Sequence, residues 1–263
     1  MKKYAISSLS TIFIITLFLF GLSTANTRGK LRRRLPPYEY GTVLMNKFTE
    51  AKGMDPVVFR HWSHRVKYTC RLCHIDIGFA MERGETMVQE AANREGLYCG
   101  VCHNGKEAFS VKEKKDCKRC HSPYPIGLDQ HAKRQFYEVT KDLPRGRFGN
   151  GVDWTKAEEE GKIRLIDTLE WYSFKRPKLT RSKGDLEIKP RVEGLPDIIF
   201  SHKKHAAWNG CEICHPDIFA LKKGGTKFKM VDNFEGRFCG ACHGKVAFPL
   251  RDCGLCHTKP VSL

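Results

Sequence analysis

All 12 cysteines of the chain fall in Cys-x-x-Cys pairs, and a histidine follows every pair at once. The sites are Cys70 and Cys73 with His74, Cys99 and Cys102 with His103, Cys117 and Cys120 with His121, Cys211 and Cys214 with His215, Cys239 and Cys242 with His243, and Cys253 and Cys256 with His257. With 11 histidines in 263 residues, chance would place one after all six pairs about once in a hundred million sequences or less. Two cysteines three apart in a helical turn lie on one face. There their thiols can add to the two vinyl groups on one edge of a porphyrin while the adjacent imidazole reaches the iron. The spacing therefore reads as six attachment sites for covalent c-type haem. Zinc ribbons and redox-active disulfides also use Cys-x-x-Cys, but neither needs a histidine after each pair. An oxidising compartment also disfavours a reduced zinc-thiolate site.

The sites form two groups of three, because the chain repeats itself. Phe59, His61 and His64 before Cys70 match Phe200, His202 and His205 before Cys211, and in both halves the second histidine lies six residues before the first cysteine. Gly96-Leu97-Tyr98-Cys99-Gly100 matches Gly236-Arg237-Phe238-Cys239-Gly240, and Ala108-Phe109 matches Ala247-Phe248. The chain is a duplicated three-haem module: module 1 over 58–122 and module 2 over 198–260.

Six haems have twelve axial positions, of which the attachment histidines fill six. His61, His64, His131, His202 and His205 remain. Histidines at i and i+3 on a helix point to one side while diverging enough to serve two neighbouring haems, so His61 and His64, and His202 and His205, are read as distal ligands. One haem per module then lacks a sixth ligand, and a methionine thioether is the usual alternative to a second imidazole. Met87 lies twelve residues before Cys99 and Met230 nine before Cys239. The difference is nearly one helical turn, so both can face the same haem if this segment is helical. Met81 competes with Met87 for that role. His131 lies beside the apolar face of a helix through Phe136, Val139 and Leu143 and is unassigned; it could replace one methionine.

The elements that must hold these residues are short. A 65-residue module has a marginal core by itself, and three porphyrins would supply much of the apolar volume. The expected fold is mainly α with irregular loops wrapped on haem, two modules joined by a partly helical linker over 123–197. In that linker Leu128 to Leu143 has helical periodicity and Pro144 to Gly151 is turn-rich. Thr155-Lys156-Ala157-Glu158 would cap a short helix ending near Gly161, and Leu186 with Ile188 allows one short strand. The linker is expected to pack on the modules.

Residues 1–25 read as a secretory signal. Lys2 and Lys3 precede an apolar run over Tyr4 to Leu22, and Ser23 and Ala25 are spaced for cleavage. The same length also suits an uncleaved membrane anchor. A basic segment over 26–57 follows, with Arg28, Lys30, Arg32, Arg33 and Arg34; it reads as a solvated arm before Pro36 and Pro37, or as a contact with lipid or a partner. The formal net charge of +17 would suggest nucleic acid, but haem propionates correct it. Without Lys2 and Lys3, with twelve propionates and six ferric centres, the balance is roughly +9 oxidised and +3 reduced. Nucleic acid is thereby set aside, and acidic redox partners are favoured.

The succession Phe-x-His-x-x-His, Cys-x-x-Cys-His, Met, Gly-x-x-Cys-Gly-x-Cys-His, Ala-Phe and Cys-x-x-Cys-His resembles the cytochrome c7 family of triheme electron carriers, particularly its multi-domain branch in dissimilatory metal-reducing bacteria. It covers about residues 58–122 and 198–258. In that branch two haems per module have two histidines and the last has histidine and methionine. The resemblance thus implies His61 with the haem of His74, His64 with that of His103 and Met87 with that of His121. In module 2 it implies His202 with His215, His205 with His243 and Met230 with His257. Single-module members place a third distal histidine before the middle site; Glu95 and Glu235 in that neighbourhood point away from it. The resemblance also implies a path from a quinol-linked donor towards acceptors at or beyond the outer membrane. The reading is an exported, periplasmic electron carrier without catalytic residues. Its rival is a multihaem reductase with one five-coordinate haem, against which stand the absence of a Cys-x-x-Cys-Lys variant and of an acid/base cluster near an open haem.

Overall fold

The computed structural model describes residues 34–124, 129–174 and 184–259. The signal segment, Arg28, Lys30, Arg32, Arg33 and Leu128 lie outside them. Among the described residues no helix is long and apolar enough to cross a membrane.

Strand β1 (Thr42–Met45) pairs antiparallel with β2 (Val57–Arg60), Thr42 opposite Arg60 and Met45 opposite Val57. The β-branched and aromatic run Val57-Val58-Phe59 favours the extended state. It delivers the chain into α1 (His61–Arg65), which carries both histidines of the i, i+3 pair. The part of the basic segment from Pro37 onward is therefore built into module 1: Tyr38 is buried and its carbonyl accepts the Trp62 indole N–H at 2.9 Å. Two short helices follow, α2 (Glu90–Arg94) and α3 (Cys117–Cys120), separated by turns and loops.

The linker holds α4 (Gln130–Thr140) and α5 (Trp154–Glu159). The first falls within the expected helix, started by Asp129, whose carboxylate accepts the Ala132 N–H at 2.9 Å. The second also ends as expected, before Gly161 at φ +68, but its cap is Asp153, accepting the Lys156 N–H at 3.0 Å, and not Thr155. A carboxylate one position ahead of the helix reaches the free N–H groups of the first turn. Strand β3 (Leu186–Ile188) forms as expected and joins β4 (Asp197–Phe200). β4 leads into α6 (His202–Asn209) just as β2 leads into α1. After α7 (Met230–Phe234), β5 (His257–Lys259) returns to the other edge of β4, completing an order β3-β4-β5.

The mainly helical, loop-rich expectation holds, with two small sheets added to it. Only one strand was expected because β2 and β4 are four-residue runs abutting helices, too short for a clear alternation.

The described residues from Leu35 onward form one compact unit. Its main apolar core joins Trp62 of module 1, Ala132, Phe136, Leu143, Trp154, Ala157 and Ile163 of the linker, and Trp208 of module 2. Phe136 is fully buried and meets Trp62 edge to face at 5.3 Å. The linker is thus the protein's own core. A second cluster seats Leu72 and Val101, beside two attachment sites, on Leu169 of the linker.

Candidate haem sites

Each Cys-x-x-Cys-His run closes a tight turn. Cys117–Cys120 is α-helical, Tyr98–Val101, Phe238–Ala241 and Cys253–Leu255 are 3-10 turns, and Leu72–Asp76 is a wider π turn. At four sites the histidine N–H donates to the carbonyl of the first cysteine: His103 to Cys99, His121 to Cys117, His215 to Cys211 and His243 to Cys239, at 2.8 to 3.0 Å. The turn thereby gathers two thiols and one imidazole. None of the 12 cysteines is paired in a disulfide. Burial pushes Cys73 and Cys242 up to about 12 and Cys99 and Cys239 up to about 11. Thiolate is costly in these positions, whereas a neutral thioether to an apolar macrocycle is not.

The imidazoles are oriented by the backbone. Nδ1 of each attachment histidine faces a carbonyl: His74 that of Phe79, His103 that of Phe109, His121 that of Asp55, His215 that of Phe219, His243 that of Phe248 and His257 that of Pro196, at 2.5 to 3.2 Å. The helix histidines follow suit: His61 to Gly41, His202 to Gly184 and His205 to Ser201, while His64 Nδ1 meets the Ser63 hydroxyl at 3.0 Å, whose own proton goes to the Arg60 carbonyl, and that carbonyl at 3.5 Å. A carbonyl only accepts, so Nδ1 carries the proton and Nε2 presents a bare lone pair, the arrangement that metal-binding histidines adopt. Burial also lowers His61, His64 and His243 to about 4, so they are neutral at neutral pH. His131 is exposed on α4 and has no such bond among the described residues.

The rings then meet in opposed pairs. His64 and His103 have ring centroids 6.2 Å apart, and so do His205 and His243. A first-row metal sits about 2.0–2.1 Å from an imidazole nitrogen, itself about 1.1 Å from the ring centroid, so two imidazoles on opposite sides of one ion have centroids about 6.2 Å apart. The spacing fits one iron between each pair. His61 lies within electrostatic reach of His74. Among the described residues no three His, Cys, Asp or Glu side chains stand close enough together to hold a metal ion among them.

Phe59 packs on both His61 and His64, at 4.9 and 4.6 Å, and Phe200 on both His202 and His205, at 4.9 and 4.2 Å. Asn93 and Asn233 accept the N–H of Cys99 and Cys239 through Oδ1, at 3.1 and 3.2 Å. Gly100 and Gly240 touch the backbone of those asparagines so closely that an added Cβ would stand 1.9 Å from the carbonyl oxygen. Tyr98 and Phe238, just before the cysteines, both hold a positive φ, +46 and +48. The two asparagines were not singled out from the sequence, although the repeat extends to them at six residues before each cysteine.

At the third sites His121 bridges to Val57 and His257 pairs with Ile198, so each module's last histidine lies against the strand that leads to its first. The helical argument for Met87 and Met230 does not hold. Met230 begins α7, but Met87 lies outside any helix, in the loop before α2 begins at Glu90. The register equivalent of Met230 is Glu90, nine residues before its cysteine. Both methionines are exposed, 46% and 41%; the Met87 sulfur meets the Lys47 ammonium at 3.2 Å and that of Met230 the Asn233 amide at 3.8 Å. Arg94 holds the Glu90 carboxyl below its usual range, with a smaller contribution from His121, which brings the start of α2 within reach of the third site. Met81 is half-buried.

Turn-gathered cysteine pairs, each followed by a histidine, and imidazoles that meet in pairs at 6.2 Å are the marks of a multihaem c-type cytochrome. The family model for cytochrome c7 and related cytochrome c matches residues 57–122 and 198–258. A solved c7-type three-heme cytochrome domain is 40% identical over 29% of this chain and 95% of its own length, with a TM-score of 0.27. The C-terminal hexaheme fragment of GSU1996 is 26% identical over 83% of this chain and 97% of that one, TM-score 0.27. The dodecaheme cytochrome c GSU1996 is 26% identical over 84% and 75%, TM-score 0.28. No curated protein matches the chain. At these TM-scores the superpositions establish no shared arrangement, and the assignment rests on the sequence matches. The chain belongs to the cytochrome c7 family. It is an electron carrier with covalently bound c-type haem, of a class that works outside the cytoplasm as a rule.

Proposed function

We propose that this protein is a six-haem electron carrier of the periplasm, passing electrons between a quinol-linked donor and acceptors at the outer membrane or beyond. Haem iron supplies the one-electron couple; the chain positions each iron and sets its potential through ligand, burial and nearby charge. The observation that carries the reading is the pair of imidazole couples, His64 with His103 and His205 with His243, each at 6.2 Å. Two axial histidines leave an iron no open position, which suits transfer and not substrate binding.

By the family pattern, His61 serves the His74 haem, to which it lies within electrostatic reach, and His202 the His215 haem. Met87 and Met230 complete the third sites, Met230 from the first turn of its helix and Met87 from the chain ahead of one. Inside each module the middle site borders both others: the Cys73 thiol senses Cys99 and Cys102, Cys99 senses Cys120, and Cys239 senses Cys214 and Cys256. Between modules, the Cys242 and Cys214 thiols sense Cys70. These neighbourhoods support a path that runs from site to site within each module and crosses between the modules at the His74 site. The basic excess left after propionate neutralisation favours acidic redox partners, and the basic segment before Pro36 offers a contact with anionic lipid.

The deciding measurement is the oxidised optical spectrum of the purified protein, with intact mass for the haem count. Six haem additions, wholly low-spin iron and a far-red sulfur-to-iron band are expected. High-spin iron without that band would open a third site to substrate and make the reductase reading the better one.

A further inference from the structure

Arg65 ends α1 and breaks the repeat: one residue after the second helix histidine, module 1 has Arg65 and module 2 has Ala206. Its guanidinium lies 4.7 Å from the Trp208 ring centroid of module 2 and 5.4 Å from that of Trp154 in the linker. It donates through Nη1 to the Val246 carbonyl at 3.2 Å, while the Tyr40 hydroxyl donates to the next carbonyl, that of Ala247. Arg65 Nε is nevertheless buried with no hydrogen-bond partner among the described residues, and so is the indole N–H of Trp208 beneath it. The other arginines enclosed near the module contacts are paired with carboxylates, Arg60 with Asp129 and Arg71 with Asp167. Arg65 has no carboxylate partner among the described residues. A buried cation whose Nε is unanswered, stacked on a ring whose own buried N–H is unanswered, calls for an anion.

The surroundings say which one. The nearest charge-bearing groups are the Cys70 and Cys242 thiols and the Tyr40 phenol, and both His61 and His243 feel the guanidinium's charge. Arg65 therefore stands between the His74 site of module 1 and the His243 site of module 2. We propose that Arg65 and Trp208 form a buried carboxylate-binding pair at the module contact, and that the carboxylate is a propionate of the haem at one of these two sites. A carboxylate can accept from both donors at once. The paired guanidinium holds that haem's potential up, since a nearby positive charge favours the less positive, reduced iron. The inference rests on the reading that these sites carry haem.

The test uses the full-length holoprotein and a redox titration that resolves individual haems by NMR. R65Q is expected to shift the reduction equilibrium of one junction haem about tenfold towards the oxidised form, about 59 mV lower for one electron. R65K should restore part of the shift at the same haem. W208F, which keeps a ring and loses the N–H, should move that haem in the same direction by less. The haem that moves, His74 or His243, identifies the source of the propionate. Unchanged potentials at both, with the low-spin spectrum intact, would reduce Arg65 to an aromatic-stacked staple and overturn the proposal; so would an equal shift at all haems. If R65Q does not assemble, R65K and W208F decide by the same readout. A wild-type protein without low-spin haem at these sites would instead mark failure of the haem reading itself.

Discussion

If the proposed ligation holds, removing the ring of His64 or of His205 takes away one axial donor and leaves its partner, His103 or His243, in place. H64A or H205A should therefore convert one haem to high spin and leave the remaining low-spin signal intact, as electron paramagnetic resonance would record. Acid acts on the same residues. In the unfolded chain a histidine takes its proton near 6.5, whereas burial holds His61, His64 and His243 near 4. Between those values the unfolded state binds more protons, so stability is full above about pH 6.5 and falls as pH drops towards 4. Iron ligation favours the neutral ring further and moves the loss lower. Denaturant midpoints measured at neutral pH and at successively more acid values should fall in that sense. The repeat of Phe-x-His-x-x-His before each module made the four helix histidines legible without coordinates. Asn93 and Asn233 were not legible in the same way, because a side chain that satisfies one backbone N–H leaves no periodic trace.

Short elements owe their form to contacts more than to propensity. The turn before the middle site needs a glycine because the Asn93 and Asn233 carbonyls occupy the space of a Cβ. The obstacle is backbone, so it cannot swing aside as a side chain would. G100A or G240A should cost at least about 1–3 kcal/mol, read as a lower unfolding midpoint, with haem loss beginning at the affected middle site. N93A, which orphans the Cys99 N–H, should cost about 1–3 kcal/mol. The i, i+3 spacing foretold that His61 and His64 share a helix. The strand ahead of that helix escaped notice, since its stability comes from β1 and from the bridge to His121, which lie 12 and 61 residues away in sequence. Likewise nothing in the spacing of Met87 distinguishes loop from helix; the start of α2 at Glu90 does.

At the scale of the molecule, the linker is a structural member. Phe136 touches Trp62 in a core that also holds Trp208, so one side chain serves both modules. F136A should cost about 3–5 kcal/mol and lower the thermal stability of the whole unit in a single transition, measured by calorimetry of the holoprotein. Two separate transitions, with only one displaced, would show that the modules unfold independently of the shared core. Haem removal should abolish the modules' fold, and a protease-resistant apoprotein would refute that expectation.

By itself the sequence determined the chemistry: Cys-x-x-Cys-His is a local arrangement, complete within five residues, and covalent attachment needs nothing more distant. The duplication and the candidate distal histidines follow from it for the same reason. Tertiary structure alone decided which rings come together and that Arg65 lies between sites of two modules. Those facts depend on pairs 39 to 181 residues apart, such as His64 with His103 and Arg65 with Val246. Packing through the linker brings them together, and no local pattern encodes that packing.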